Sequence, residues 1–454
     1  MRQLGMLWIA TLLAALAPAA RGAVSEAEAA RLGADLTPMG AERAGNAEGT
    51  IPEWAGGITV PPPDYRPGER HPDPHPGDRI LYTVTAADLE ARGSLLCDGQ
   101  KAMLRAHPES WRLNVYPTRR SASFPDWVYA AVRANATRAS VVLTGKGSVA
   151  GARVGPPFPI PQSGIEVIWN HNLRWRGARV ERSEGFAAVT RLGNYRVVLA
   201  EQTLGLPYAA READAFGREY PNVLLALKSK TIAPSRLAGD GSLVIEPIDQ
   251  TDDPRMWWNY SRDLRRVFRQ PWAAYEFPAP NSDALRTIDD SWLFNGPPDR
   301  FDWELLGKRE MLIPYNAYRL HASDIGPADI LRKSHIEPEL ARYELHRVWV
   351  VQATLKPGAS HIYSRRVFYL DEDSWQIAVA ESYDMNGKLW RVNEVHALNY
   401  YQVPVLWSTL EVYQDLIQGR YLVTGLDNGR NPYRFSEGSD PREFSPNALS
   451  YDTR

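Results

Sequence analysis

The sequence predicts a mixed α+β fold dominated by a strongly bent antiparallel β-sheet, with helices covering the concave side of that sheet. Three observations support this prediction. Six runs of β-forming residues follow one another after residue 347 and are joined by short turns. Both faces of these runs carry large side chains, and the first third of the chain contains several short helix-forming runs.

The predicted strands after residue 347 form an antiparallel meander. The turn sequences at residues 371–374 (Asp-Glu-Asp-Ser) and 384–387 (Asp-Met-Asn-Gly) favour hairpins. Earlier β-rich runs occupy residues 180–182, 187–192, 195–202, 224–232 and 241–248. The later strands are predicted at residues 347–355, 361–370, 375–383, 388–401, 407–413 and 420–424.

The distribution of side chains indicates that both faces of the meander are partly buried. A sheet covered on one side alternates apolar and polar residues. In residues 347–355 one face carries Val348 and Val350, whereas the other carries Trp349 and Val351. This pattern suits a barrel or half-barrel packed on helices. The alternative is a sheet buried between helices and loops without a cavity.

Helices are predicted at residues 25–32, 85–93, 98–107 and 124–136. Ser25 can cap the first of these, with the glutamate three residues later as its capping-box partner. A proline at position 108 ends the third helix.

The first residues have the order of a secretory signal. A basic residue precedes 14 uncharged residues, and small residues follow. The apolar core is shorter than the ~20 residues that span a bilayer, so cleavage after Gly22 is expected, with an uncleaved anchor as the alternative. No later run is long and apolar enough to cross a membrane. The expected location is the periplasm, reached by secretion across the inner membrane, with a peripheral position at the outer membrane as a further expectation.

Composition argues against a nucleic-acid partner and against a disulfide-based fold. The chain has 52 basic and 54 acidic residues and no basic stripe. Cys97 is the one cysteine in the sequence and cannot form an internal disulfide. Hydrophobic residues make up 44% of the chain, which is normal for a packed core.

Four regions are predicted along the chain. Residues 1–22 are a signal peptide, and residues 23–78 are an extended segment that ends in a Pro-rich loop. Residues 79–427 form a single domain, and residues 428–454 form a polar tail. Histidine and aspartate residues at positions 71–78 could hold a metal ion, but a plain loop is the simpler interpretation.

Recognised catalytic motifs are missing from the sequence. It contains no Gly-x-Ser-x-Gly, no His-Glu-x-x-His and no Cys-x-x-Cys. His171 could act as a general base, but no serine or cysteine stands beside it at a recognised spacing. We therefore predict no catalytic residue, no metal ligand and no cofactor.

Several sequence blocks, in order, resemble one bacterial envelope family. The chain resembles domain of unknown function family 1329 from about residue 36 to residue 426. The blocks that carry the resemblance are Leu-Thr-Pro-Met-Gly-Ala-Glu-Arg-Ala-Gly-Asn at 36–46, Gly-Thr-Ile-Pro-Glu-Trp at 49–54, Asn-Val-Tyr-Pro-Thr at 114–118, Pro-Phe-Pro-Ile-Pro at 157–161, Trp-Asn-His at 169–171, Phe-Asn-Gly-Pro-Pro-Asp-Arg at 294–300, Arg-Tyr-Glu-Leu-His-Arg-Val-Trp at 342–349 and Asp-Glu-Asp-Ser-Trp at 371–375.

The resemblance implies a fold and a class of function. Family 1329 is similar to the LolA, LolB and LppX carriers, which bind lipid or acyl chains in a half-barrel closed by helices. It implies a LolA-like half-barrel here, with an RND-type exporter and an outer-membrane protein as partners. No catalytic residues are defined for the family, so none is carried over.

The expected function is carriage of a lipid-like, apolar cargo by a monomer, without catalysis. An envelope hydrolase acting on lipid or glycan and an assembly scaffold remain as alternatives. A polar rim is predicted at Tyr116, Arg119, Trp169, Asn170 and His171. The residues predicted to line the cavity, on a face that the sequence leaves open, are Trp349, Val351, Phe368, Leu370, Trp390 and Val392.

Overall fold

The computed structural model describes residues 23–271 and 274–453, apart from the side chain of residue 453. The predicted signal peptide, residues 1–22, lies outside the described residues. Among the described helices, none has the length and apolar character needed to cross a bilayer.

Most strands belong to one large sheet. Its strands, in chain order, are β1 (Tyr82–Val84), β2 (Leu113–Val115), β5 (Arg179–Val189), β6 (Val197–Gly205), β7 (Val223–Ala233), β8 (Gly241–Pro247), β9 (Met256–Ser261), β10 (Arg266–Arg269), β11 (Phe301–Pro314), β12 (Tyr343–Leu355), β13 (Arg365–Asp371), β14 (Ile377–Tyr383), β15 (Leu389–Tyr400), β16 (Val405–Asp415), β17 (Arg420–Thr424) and β18 (Arg434–Ser436). A separate hairpin contains β3 (Ser140–Val142) and β4 (Ser148–Ala150).

Two antiparallel meanders build the sheet. Strands β5 to β10 form the first and β11 to β17 the second. They join where β17 pairs with β5, for example at Thr424 and Phe186. The outer strands β10 and β11 each pair with one described neighbour, so the sheet is open. The predicted mixed fold with one dominant sheet is confirmed, and a sheet that is not closed into a barrel is consistent with a bent half-barrel. The sheet is antiparallel except for the parallel pairing of β2 with β12.

The helices are short and lie mainly before the sheet. They are α1 (Glu26–Ala29), α2 (Leu89–Arg92), α3 (Asp98–Ala106), α4 (Asp126–Ala136), α5 (Gly164–Leu173), α6 (Ala215–Glu219), α7 (Tyr318–His321), α8 (Pro327–Ile330) and α9 (Pro446–Thr453). Ser25 caps α1 with Glu28 as its capping-box partner, as predicted. Helix α5, which sequence patterns did not indicate, packs against β11 and β12.

The strand predictions after residue 347 agree with β12 to β17 to within a few residues. Two earlier predictions need correction, because residues 180–182 and 187–189 belong to the single strand β5, which ends before residues 190–192. Strand β11 was not predicted.

The last residues pack onto the sheet. Residues 428–454, predicted as a polar tail, contain β18, which pairs with β5, and α9, which packs against β7 to β10. Phe444 and Leu449 from this region join a small buried cluster with residues of β7, β8 and β9. The main hydrophobic core is a separate cluster that runs from Met39 to Tyr433.

Candidate functional site

An apolar cleft lies against one face of the first meander. We call this side of the sheet the cleft face; it carries Phe186 of β5, Gln202 of β6, Leu227 of β7 and Val244 of β8. The residue pairs Leu227–Val244 and Val244–Trp257 are directly opposite in the ladder, so their side chains form one apolar ridge across three strands.

The cleft has a volume of about 140 Å³ and is also lined by residues between 279 and 295. This volume resembles the ~150 Å³ of an engineered apolar cavity that holds benzene. It is below the ~300–1,000 Å³ of pockets that enclose drug-sized ligands. The cleft therefore suits one end of a hydrocarbon chain. Its apolar lining is formed by Phe186, Leu225, Leu227, Val244, Trp257 and Trp292.

A larger groove on the opposite face of the sheet has a different chemical character. Its volume is about 500 Å³, and charged and polar side chains form most of its wall. Glu181, Lys228, Lys230 and Asp452 are among them. Because these charges have both signs and remain near water, the smaller cleft is the better candidate for apolar cargo.

Trp292 is held in the cleft wall by an unusual backbone conformation. Its φ and ψ are 53° and 30°, in the left-handed region that bulky residues rarely adopt, at a cost of order 1–3 kcal/mol. The preceding carboxylates anchor this segment, because the Arg366 guanidinium binds Asp289 at 2.9 Å and Asp290 at 2.6 Å. Burial alone would raise the pKa of Asp289, but the charges of Arg366 and His361 hold it well below its usual value.

One end of the cleft contains a buried ion pair. Arg255 binds Glu246 at 2.8 Å, and Gln250 donates a hydrogen bond to the same carboxylate at 2.7 Å. Both charged residues line the cleft. A few polar groups within a mostly apolar wall are typical of small-molecule sites, where they fix the orientation of a ligand.

A group of charged side chains lies in and beside the cleft wall. It contains the arginines 174, 176, 182 and 286 and the glutamates 184 and 411. The Arg176 guanidinium lies 4.6 Å from the centroid of the Trp292 ring. A cation–π contact contributes roughly 2 kcal/mol when desolvated, whereas burying an ion costs several kcal/mol. Stacking on Trp292 therefore does not offset the burial of Arg176.

Four of the six residues predicted to line a cavity share the face of Arg366 in the second meander. Trp349 pairs with Leu370, and Val351 pairs with Phe368. Their surroundings are protein: Phe368 contacts the Phe294 ring at 5.7 Å and stacks on Trp303 at 5.8 Å, and Trp349 stacks on Trp375 at 6.0 Å. The structure places Val351, Phe368 and Leu370 in the packed core and the half-buried Trp349 against it, all outside the cleft.

The other two predicted residues lie elsewhere. Val392 pairs with Glu381, whereas Phe368 pairs with the preceding residue of the same strand, Ala380. Because neighbouring residues of a strand point to opposite faces, Val392 projects from the face opposite Phe368. There it meets α3 at Gly99, where an added Cβ would lie only 2.5 Å from Val392. Trp390 is half-buried beside a register shift, and its Nε1–H donates to Asp415 at 2.9 Å.

The predicted polar rim separates into two groups. Tyr116 is half-buried under the Arg342 guanidinium, which lies 4.8 Å from its ring, and Arg119 is exposed and pairs with Asp78 at 2.6 Å. The buried residues of α5 form the second group. There the Asn170 side chain bonds both backbone groups of Phe158.

His171 is enclosed by backbone and by arginine. Its Nδ1 lies 3.1 Å from the carbonyl oxygen of Trp375 and 3.1 Å from the amide nitrogen of Ile377. Burial lowers the pKa of His171 well below its ordinary value, and the charge of Arg174 lowers it further. These contacts fix α5 to the turn before β14. Trp169, the remaining predicted rim residue, is also buried on α5.

Comparisons with known proteins identify the family. Residues 83–450 match the family described as "Protein of unknown function (DUF1329)". An uncharacterized protein of Pseudomonas aeruginosa is 42% identical over 438 residues, which cover 96% of each chain. The chain belongs to the DUF1329 family.

Solved structures that match part of this chain include a DUF1329 family protein, a lipoprotein-sorting protein domain and a LolA superfamily protein. A DUF1329 family protein from Desulfovibrio piger has 15% identity and a TM-score of 0.41, covering 60% of this chain and 92% of that chain. A putative outer membrane lipoprotein-sorting protein domain from Vibrio parahaemolyticus has 14% identity and a TM-score of 0.43, covering 63% and 98%. A LolA superfamily protein from Nitrosomonas europaea has 9% identity and a TM-score of 0.35, covering 63% and 98%.

This DUF1329 chain also contains a buried acid–histidine cluster that sequence reasoning interpreted as a turn. Side-chain ligand atoms of His346, Asp371 and Asp373 lie within 4.8 Å of one another, a spacing that could hold a metal ion. However, Arg120 donates two hydrogen bonds to Asp373 at 2.8 and 2.7 Å, and Tyr315 donates to Asp371 at 3.2 Å. We interpret the cluster as an ion-pair network.

That network anchors the N-terminal segment of the DUF1329 chain. Arg120 also donates to the carbonyl oxygen of Glu42 at 2.8 Å, and Arg347 donates to that of Ala44 at 2.7 Å. Burial raises the pKa of Asp371 to about 6, and the charge of Asp373 adds to this shift. The extended segment is thus held on the sheet by side chains from distant parts of the sequence.

The Pro-rich loop of this DUF1329 chain, residues 61–78, is fixed by a chain of buried hydrogen bonds. His71 contacts His321 at 3.2 Å and Gln402 at 2.8 Å, and His321 contacts Asp427 at 3.1 Å. Burial lowers the pKa of His71 to about 3, with a further contribution from His321. Both ring nitrogens of His71 therefore bond protein groups, and the loop is part of the packed fold.

Proposed function

We propose that this DUF1329 protein is a periplasmic binding or carrier protein for a lipid or other apolar cargo and has no enzymatic role. It acts peripherally to the outer membrane, together with an outer-membrane protein or an RND-type exporter. The cleft against β5 to β9 is the cargo site. The observation that carries this proposal is the ridge formed by Leu227, Val244 and Trp257, which lines open space.

The cleft has the properties that reversible carriage requires. Each methylene group moved from water into it contributes ~0.8 kcal/mol, so a short inserted segment gives moderate affinity. Pro280 and Asn281 line the cleft and are exposed, so the cleft reaches the protein surface. A cargo chain can then enter and leave without unfolding of the sheet.

Filling the cleft tests the proposal. Val244→Phe places an aromatic ring between Leu227 and Trp257, and we expect it to weaken binding of the neutral apolar probe N-phenyl-1-naphthylamine by about tenfold or more. Thr203→Phe is the matched control, because Thr203 lies on the opposite face of the neighbouring strand β6. Binding is measured by fluorescence titration of the mature chain, with thermal unfolding of each variant as a folding check.

Extraction of the purified protein provides a second readout. Mass spectrometry of the organic extract is expected to find lipid with the wild type and the Thr203 variant, and less with Val244→Phe. The proposal fails if the wild type binds no apolar probe and yields no lipid. It also fails if both phenylalanine variants bind the probe as tightly as the wild type.

A further inference from the structure

The buried charges beside the cleft do not balance. Four guanidinium groups (Arg174, Arg176, Arg182 and Arg286) share their surroundings with the carboxylates of Glu184 and Glu411. Arg182 and Glu184 form a direct ion pair at 2.7 Å. Among the described residues, no carboxylate forms an ion pair with the other three arginines. Two positive charges are therefore in excess.

Glu411 is already counted in this balance, and among the described residues it forms no ion pair with any of the four arginines. Its carboxylate accepts hydrogen bonds from the Tyr413 hydroxyl at 2.6 Å and from the Ser408 hydroxyl at 3.0 Å. The nearby carboxylate of Asp427 is already paired with Arg70 at 2.7 Å. Burial also raises the pKa of Glu184, because the charge of Arg182 offsets only part of the cost of burying the carboxylate.

Arg176 is the clearest case of an unpartnered charge. The residue is 2% exposed, its Nε has no hydrogen-bond partner, and no ion pair involves it within the described part of the chain. Buried charges in proteins are normally paired or bound to a ligand. Arg176 stacks on Trp292, which lines the cleft, and Arg286 lines the cleft itself. The uncompensated charge thus stands next to the proposed cargo site.

We propose that the cargo is an anionic amphiphile, bound with its carboxylate or phosphate group at Arg286 and its hydrocarbon chain along the ridge of Leu227 and Val244. Arg176, which stacks on Trp292, supplies further positive charge that the anionic group neutralises. This inference rests on the proposed function of the cleft and deepens it by naming the class of cargo. Guanidinium groups suit this role because they bind carboxylate and phosphate oxygens with two donors.

Probes of equal chain length test the charge preference. Decanoate, decyl phosphate, decanol and decyltrimethylammonium are titrated into the mature protein below their micelle concentrations, and binding is followed by calorimetry. We expect the two anions to bind about tenfold more tightly than decanol, and the cation to bind more weakly than decanol. Inorganic phosphate without a chain is expected to bind far more weakly than decyl phosphate, which separates an amphiphile site from a phosphate site.

Substitution of single arginines shows which side chains produce the preference for anionic probes. Arg286→Met and Arg176→Met should each reduce the ratio of decanoate to decanol affinity to about threefold or less. Arg176→Met should also raise the Tm of the ligand-free protein, because it removes a buried charge without a partner. The matched control is Arg434→Met, because Arg434 is exposed in the groove on the opposite face.

The outcomes separate the two proposals. If decanoate, decanol and the cation bind equally, the cleft binds apolar cargo but the inference about charge is wrong. If phosphate alone binds as tightly as decyl phosphate, the site recognises a free anion, and the proposal that the cargo is an amphiphile is wrong. If no decyl compound binds at all, the proposed function itself fails. Should Arg176→Met not fold, Arg286→Met and the wild-type probe series still decide the question.

Discussion

At the scale of single residues, His396 on β15 makes native stability depend on pH. The ring is wholly buried, and neither ring nitrogen has a hydrogen-bond partner within the described residues. Burial lowers the pKa of His396 to about 3 from the ordinary 6.5. As the pH falls from 6.5 towards 3, the unfolded chain binds a proton at this position before the native state does, so native stability is lost across that window.

We expect His396→Leu to make the protein less sensitive to acid. Between pH 7 and pH 4, the free energy of unfolding should fall by about 3 kcal/mol less in the variant than in the wild type. Urea denaturation at both pH values measures this difference. His107→Leu is a control, because the ring of His107 is half-buried and its pKa is lowered less. Identical pH dependence of the wild type and His396→Leu would contradict the prediction.

Single residues also show what alternation can and cannot predict. The sequence correctly places Trp349 and Val351 on one face, because side chains alternate along a regular strand. The sequence wrongly placed Phe368 and Val392 on the same face of the sheet. The faces of distant strands depend on the pairing register and on irregularities such as the one beside Trp390. The sequence therefore predicts which residues of one strand share a face, but it does not predict which faces of different strands lie on the same side of the sheet.

At the scale of elements, the C-terminal region stabilises the first meander. Phe444 stacks on Phe216 with the ring centroids 5.3 Å apart, inside the cluster that α9 completes. We expect Phe444→Ala to lower the free energy of unfolding by about 3–5 kcal/mol, the range for loss of a buried aromatic side chain. Chemical denaturation measures the change.

The same region provides the matched control. Tyr451 lies on α9 but is 82% exposed, so Tyr451→Ala should change the free energy of unfolding by less than about 0.5 kcal/mol. Equal effects of the two alanine substitutions would show that the tail does not pack as described.

Helix α5 and strand β11 were not predicted, and each lacks the sequence pattern that would have indicated it. Nine of the ten residues of α5 are buried, so the helix has no polar face to produce an amphipathic pattern. Strand β11 contains a register shift between Leu305 and Gly307, which breaks the alternation of apolar and polar residues. By contrast, β12 to β17 are separated by turn sequences whose chemistry is local, and they were predicted to within about four residues.

At the scale of the whole molecule, the position of the cleft follows from how the cleft face is covered. Residues 284–295 cover part of the second meander: Arg391 binds the carbonyl oxygen of Ala284 at 2.8 Å, and Tyr413 binds that of Asp290 at 3.0 Å. These contacts join positions more than 100 residues apart. Local patterns contain no information on such pairings, so the sequence indicated an apolar sheet but not the place where it remains uncovered.

The pairing of β17 with β5 joins the two meanders, and the main core extends across both of them. We therefore expect residues 79–427 to unfold as one cooperative unit, with equal calorimetric and van't Hoff enthalpies. Leu243 is buried in the first meander, and Leu243→Ala should remove about 2–5 kcal/mol of stability and shift the single transition as a whole. Differential scanning calorimetry tests this. If the meanders were independent units, the trace would show two transitions and the substitution would move only one of them.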